Sequence, residues 1–170
     1  MILQTERLLL REWRDDDLDA AHAMFGNPEV MRYIPPGVFT RERTLRSMNL
    51  MNAAFQERGY SLCAVVRKAD NQLVGESGLQ PLPDHSDIEI AWMLNKPYWH
   101  QGYALEMARA VLEYGWQTAG LKRVVAVIDK ENPASIRVAN GLGMRFEGVR
   151  RHYNRDLMQY SLDHSGERSV

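Results

Sequence analysis

Tyr98-Trp99-His100-Gln101-Gly102-Tyr103-Ala104 is the stretch of this 170-residue chain whose residue types and spacing point most directly to chemistry. It lies between an apolar run of strand character, Ile88 to Leu94, and a strongly helical one, Ala104 to Trp116. A short loop delivering a strand into a helix aims several unpaired backbone N–H groups at one point. The positive end of the helix dipole lies there too, and the two together make an anion site. Gly102 has no Cβ, so the backbone can come close to a ligand. The expectation is a phosphate or pyrophosphate held at the start of this helix. The alternative is a glycine kept for packing at a strand-to-helix turn.

Other reactive residue types are less pointed. Cys63 sits in the apolar run Ser61 to Val66, which suits a buried, inert thiol better than a nucleophile. A single cysteine leaves no internal disulfide to form. His22, His85, His152 and His164 show no ligand spacing, so no metal site is expected. A formal net charge of -1 supplies no field to gather nucleic acid. No apolar run approaches the ~20 residues of a membrane span, and Met1 to Arg7 carries charge too early for a signal-peptide core. The expectation is a cytoplasmic protein with neither a nucleic-acid nor a membrane partner.

The elements that must position the loop can be read along the chain. Arg7 to Trp13 reads as a first strand. Asp15, Asp16 and Asp17 offer capping carboxylates to a helix carrying Leu18, Ala21, Met24 and Phe25. Asn27-Pro28 breaks it, and Glu29 to Ile34 reads as a short second helix closed by Pro35-Pro36-Gly37. Thr40 caps a longer helix with Leu45, Met48, Met51 or Asn52, and Phe55 on one face, ended by Gly59. Tyr60 to Arg67 and Leu73 to Leu79 read as strands around a turn at Ala69 to Gln72. A loop from Pro81 to Ser86 leads into the strand Asp87 to Leu94. After the amphipathic helix Ala104 to Thr118 come a central strand, Lys122 to Asp129, and a helix from Pro133 to Gly141 with proline in its first turn. Arg145 to Arg151 and Leu157 to Leu162 read as an antiparallel pair. The order describes one α/β (α+β) domain over residues 1–170, a mixed sheet with helices on both faces.

At this point a family resemblance enters. Trp99-His100-Gln101-Gly102-Tyr103-Ala104 resembles the Gln/Arg-x-x-Gly-x-Gly/Ala pyrophosphate loop of the GNAT superfamily of acetyl-CoA-dependent N-acyltransferases. Trp99 stands where most members have Gln or Arg. Tyr-Trp-x-x-Gly-Tyr-Ala is similar to the form in the branch containing the ribosomal-protein N-terminal alanine acetyltransferases. Thr5-Glu6-Arg7-Leu8-Leu9-Leu10-Arg11, Glu89-Ile90-Ala91-Trp92, and Asn132-Pro133-Ala134-Ser135 running to Gly143-Met144 also resemble that branch. The resemblance covers nearly the whole chain. It implies a mostly antiparallel sheet in which one parallel pair, Ile88 to Leu94 and Val124 to Ile128, splays apart. The pantetheine arm of acetyl-CoA, the co-substrate, would lie in that gap against the backbone of Trp92, Met93 and Leu94. Trp99, His100, Gln101, Gly102, Tyr103 and Ala104 would take the pyrophosphate, and Asn132 would contact the pantetheine. Arg137, with Lys96 and Arg109, would serve the phosphates.

The chemistry so implied is attack of a neutral amine on a thioester. It needs a deprotonated amine, donors for the oxyanion and a proton for the thiolate. Met93 or Leu94 would supply the backbone donor. Glu89 is the first candidate for the base and Glu76 the second; the alternative makes Glu89 a half-exposed strand carboxylate paired with an arginine. The tyrosine acid of much of the superfamily falls on Ala139 here and is missing. Ser135, which resembles a serine near the CoA sulfur in this branch, would serve instead, or else satisfy backbone groups in the first helical turn. The acceptor site would be built from Arg32 to Phe39 and Arg150 to Asp156, with Trp13, Tyr33 and Tyr153 lining a slot and Asp84, Asp87 and Glu89 near its opening. A small-molecule amine is placed ahead of a protein N-terminus as acceptor, with a non-catalytic acyl-CoA-binding module third. A homodimer through the late strands is a further implication of the resemblance.

Overall fold

The computed structural model describes residues 3–84 and 86–164. Met1, Ile2 and His85 therefore lie outside the described residues. Eight strands form one sheet: β1 (Leu3–Gln4), β2 (Leu8–Arg11), β3 (Leu62–Arg67), β4 (Gln72–Pro81), β5 (Ile88–Leu94), β6 (Arg123–Ile128), β7 (Arg145–His152) and β8 (Arg155–Asp163). Their spatial order is β1-β2-β3-β4-β5-β6-β8-β7. Every neighbouring pair is antiparallel except β5 and β6. The helices are α1 (Leu18–Phe25), α2 (Arg41–Arg58), α3 (Tyr103–Gln117) and α4 (Pro133–Gly141). No described helix is long and apolar enough to cross a membrane.

Strand alternation divides the apolar side chains between two cores. On one face Leu8, Leu10, Val65, Val74, Ile90, Val124 and Ala126 pack against Met107, Ala108, Val111 and Leu112 of α3 and Ala139 of α4. On the other, Ala64, Val66 and Met93 meet Ala21, Met24 and Phe25 of α1 and Met48 of α2. Helices thus cover both faces, as the sequence predicts. Asn132 caps α4, its Oδ1 accepting from Ser135 N at 3.1 Å, and Thr40 caps α2.

Four readings of the sequence need correction. Glu29 to Ile34 is not a helix but a set of turns, among them Met31 N to Asn27 O and Ile34 N to Met31 O. Six residues between Pro28 and Pro35 are too few to recover the cost of nucleation. Asp17 does not cap α1; Asp15–Asp17 form a 3-10 turn. The Asp17 carboxylate is turned instead to Arg11, with bonds of 2.6 and 2.8 Å in a buried pair. Leu45 is exposed, and Thr44 takes the buried place beside Met48. Trp13 does not line a slot: it is a core residue packed on Phe25, and its Nε1 donates to Leu62 O at 3.2 Å.

Candidate active site

The site begins where two strands part. β5 and β6 share one register pair, Glu89 with Val125, and diverge beyond it. The β4–β5 ladder decides which β5 groups face the gap. Asn95 N donates to Val74 O and Leu82 N to Asp87 O, so odd-numbered residues of β5 turn their polar groups toward β4. The N–H groups of Trp92 and Leu94 therefore face the gap. Met93 N–H does not: it is turned to Glu76 across the ladder. Of the two backbone donors the sequence suggested, the register leaves Leu94. Leu94 O is taken by Trp99 Nε1 at 2.8 Å, which gives the unusual tryptophan of the loop a structural task.

The loop follows directly. Asn95 caps a 3-10 turn over Lys96–Tyr98, and α3 starts after Gly102, whose φ is 81°. A left-handed φ at that point is natural only for glycine. His100 also takes a positive φ, 61°. His100, Gln101 and Gly102 are exposed, Ala104 is half-buried and Tyr103 is buried. Arg7 braces this corner from β2's edge: its guanidinium donates to Gln101 O at 2.9 Å, pairs with Glu106 at 2.6 Å, and lies over the Tyr103 ring. The first turn of α3 thus presents its free N–H groups outward beside the open end of the gap. Of the cations expected nearby, Lys96 is paired with Glu29 at 2.7 Å and Arg109 donates to Gly141 O at 3.3 Å. Arg137 is exposed on α4.

Glu89 and Glu76 lie on the same sheet face as Met93, the face covered by α1 and α2. Glu89 is only 7% exposed and has no arginine partner among the described residues. Instead Tyr153 Oη donates to its Oε2 at 2.5 Å and Gln80 Nε2 donates to the same oxygen at 2.9 Å. Burial pushes the Glu89 carboxyl above its ordinary range, while the two donors and nearby His152 pull it back. Burial likewise raises the Tyr153 phenol, with the Glu89 charge adding to it, so Tyr153 stays a donor. Tyr153 and Asn154 occupy a two-residue hairpin turn with φ of 51° and 59°. This is the primed turn that matches strand twist, and it aims the phenol at Glu89. Glu76 is as buried, but its Oε2 has no partner, and burial alone lifts the carboxyl to about 8.

A second chain of contacts runs behind Tyr153. His152 Nε2 meets Gln159 Oε1 at 2.8 Å, and Gln159 Nε2 donates to Glu147 at 3.1 Å. Arg123 donates to Glu147 at 2.7 Å and to Asp87 at 3.2 Å. The Arg123 guanidinium, with the Ser161 hydroxyl, holds the Glu147 carboxyl down at about 2. Asp87 is thereby paired with Arg123.

Across the gap, Ser135 lies in the first turn of α4. Its hydroxyl does not satisfy the helix backbone; its oxygen accepts from Trp92 Nε1 at 3.3 Å. Ala139 is fully buried in the core and carries no acidic group. At the rim, Arg155 donates to Tyr33 O at 3.3 Å and also pairs with Asp129. It ties the α1–α2 connection and the end of β6 to the β7–β8 hairpin. Gln80 was not foreseen, because only the strand register puts it opposite Glu89.

A family model described as an acetyltransferase (GNAT) domain matches residues 7–145. The uncharacterized N-acetyltransferase YnaD of Bacillus subtilis (strain 168) is 35% identical over 148 residues, 87% of this chain and 85% of that protein. The spermidine N(1)-acetyltransferase of Escherichia coli (strain K12) is 26% identical over 147 residues, 84% of this chain and 75% of that protein. The crystal structure of an acetyltransferase of the GNAT family from Bacillus anthracis superposes with a TM-score of 0.79 at 34% identity, covering 95% of this chain and 96% of that one.

Proposed function

The chain belongs to the GNAT acetyltransferase family, and on that premise we propose that residues 1–170 form one domain transferring acetyl from acetyl-CoA to a small-molecule primary amine. The observation that carries the reading is the parted strand pair: one register contact, then two backbone N–H groups facing an open gap. The residues present suit the co-substrate. A pantetheine arm would pair with the gap-facing groups of Trp92 and with the amide nitrogen of Asn132, which leaves Leu94 N–H for the thioester carbonyl. Its pyrophosphate would meet the N–H groups from Gln101 to Ala104, where a φ of 81° at Gly102 opens the turn. Arg137, exposed on α4, is the cation left for the phosphates.

Each reacting atom then has a group to serve it. Leu94 N–H donates to the developing oxyanion. Glu89 takes the amine proton through a water; burial strengthens it as a base and Tyr153 keeps it oriented. Ser135 donates to the departing sulfur, and a thiol of ordinary pKa near ~8.5 needs no stronger acid. A lysine-like amine, near ~10.4, depends on the base more than an α-amino group near ~7.7–8.0 does. The small-amine preference draws support from the relative named for spermidine and from the buried Glu89 carboxylate. The four motifs named in the sequence support a peptide N-terminus as the second reading.

Thiol release from acetyl-CoA, measured against amines and N-terminal peptides, tests the proposal. A fast small amine is expected, with Glu89→Gln losing roughly 100-fold or more in rate at unchanged acetyl-CoA affinity. Turnover of peptides alone would move the acceptor to the second reading. Tight acetyl-CoA binding with no turnover of any acceptor would refute the proposed reaction.

A further inference from the structure

Trp92 projects from β5, and Ser135 belongs to the helix that follows β6. The indole therefore reaches across the opening between the two diverging strands to touch the hydroxyl, at 3.3 Å. Both side chains are half-buried, and Trp92 packs against the α3 core, which fixes its ring from below. An indole N–H can only donate. Ser135 Oγ is therefore the acceptor in this contact, with one lone pair engaged. Its backbone N–H is separately held by Asn132 Oδ1 at 3.1 Å. A serine in a helix commonly turns its O–H back onto a carbonyl of the preceding turn. Ser135 donates no such bond among the described residues, so its hydroxyl proton is unclaimed beside the gap.

We infer that Trp92 is a positioning residue for Ser135: by occupying a lone pair it turns the Ser135 O–H into the gap, toward the leaving sulfur. The inference rests on the reading of Ser135 given above. The step it serves is balanced without another reactant. The amine nitrogen forms a bond to the acyl carbon and its proton passes through water to Glu89. The carbon–sulfur bond breaks, and the sulfur leaves as a thiolate that accepts the Ser135 hydrogen bond and then takes a proton from solvent. Trp92 contributes by orientation alone.

Thiol release from acetyl-CoA with hydroxylamine as acceptor isolates the step, because so small a nucleophile makes little use of an acceptor pocket. The variants are Trp92→Phe, which keeps a packed ring but loses the N–H, Ser135→Ala, and the pair combined. Trp92→Phe is expected to lower kcat by about 3–10-fold, the worth of one neutral hydrogen bond, with acetyl-CoA Kd within two-fold of wild type. In the Ser135→Ala background it is expected to cost nothing further. Trp92→His, which retains a ring N–H, should keep more of kcat than Trp92→Phe. Losses that add in the double variant, or appear in Kd rather than kcat, would overturn the inference. So would Trp92→His falling below Trp92→Phe. If Ser135→Ala itself turns over at the wild-type rate, the fault lies in the donor reading of Ser135. If Ser135→Ala is slow while Trp92→Phe is fast, it lies with Trp92 alone.

Discussion

Two carboxylates of the same length, equally buried on one face of one sheet, are both raised by burial, but their neighbours treat them differently. Glu89 receives two hydrogen bonds on one oxygen and is thereby helped to ionise; Glu76 receives none on its buried oxygen. Environments that separate the pKa values of paired groups are how acid and base roles are assigned. Removing the phenol should therefore be felt in pH rather than in binding. Tyr153→Phe deletes a donor to the charged form, so the Glu89 carboxyl rises and ionises later. The acidic limb of kcat/KM is expected to move to higher pH, with acetyl-CoA affinity unchanged. An unmoved limb would take Glu89 out of the proton path. Glu89 could be singled out in the sequence because strand alternation sets its face. Its partners could not, because Gln80 is reached through a register and Tyr153 through a hairpin turn 64 residues away.

At the scale of elements, what was legible followed from local rules. The α3 and α4 starts, the Thr40 cap and the Ala69 to Gln72 turn are written in residues a few positions apart, and the structure has them where those rules put them. The segment from Glu29 to Ile34 failed because its apolar spacing reflects packing of Val30 and Met31 under α1, not a helix period. Asp17 failed because its carboxylate serves Arg11 and the backbone N–H of Arg14 in the preceding 3-10 turn instead of the first turn of α1. The left-handed turn before α3 yields a direct test. Gly102→Ala meets only Arg7 Nη2, at 3.4 Å, so the cost is backbone strain rather than a clash. A loss of about 1 kcal/mol in unfolding free energy, read from urea denaturation, is expected, together with weaker acetyl-CoA binding by equilibrium dialysis. Unchanged binding alongside lost stability would separate this turn from the phosphates.

For the whole molecule, Glu76 carries a signature in pH. Unfolded, it ionises from its ordinary 4.5; folded, it stays protonated to about 8. The folded state thus holds the extra proton between those values, and stability is lost as pH rises through that window. Glu76→Gln should flatten the fall in urea midpoint between pH 5 and pH 8 and leave the variant the more stable protein at the upper end. Equal slopes for both proteins would mean that Glu76 is solvated after all. A longer-range consequence follows from the contacts behind the β7–β8 hairpin. Glu147, ionised beside Arg123, can only accept, so the Gln159 amide must turn its nitrogen that way and its oxygen toward His152. His152 must then carry its hydrogen on Nε2 when neutral, leaving Nδ1 with the lone pair. One half-buried guanidinium, three side chains removed, thus selects the tautomer of an imidazole adjoining the Tyr153 that holds Glu89.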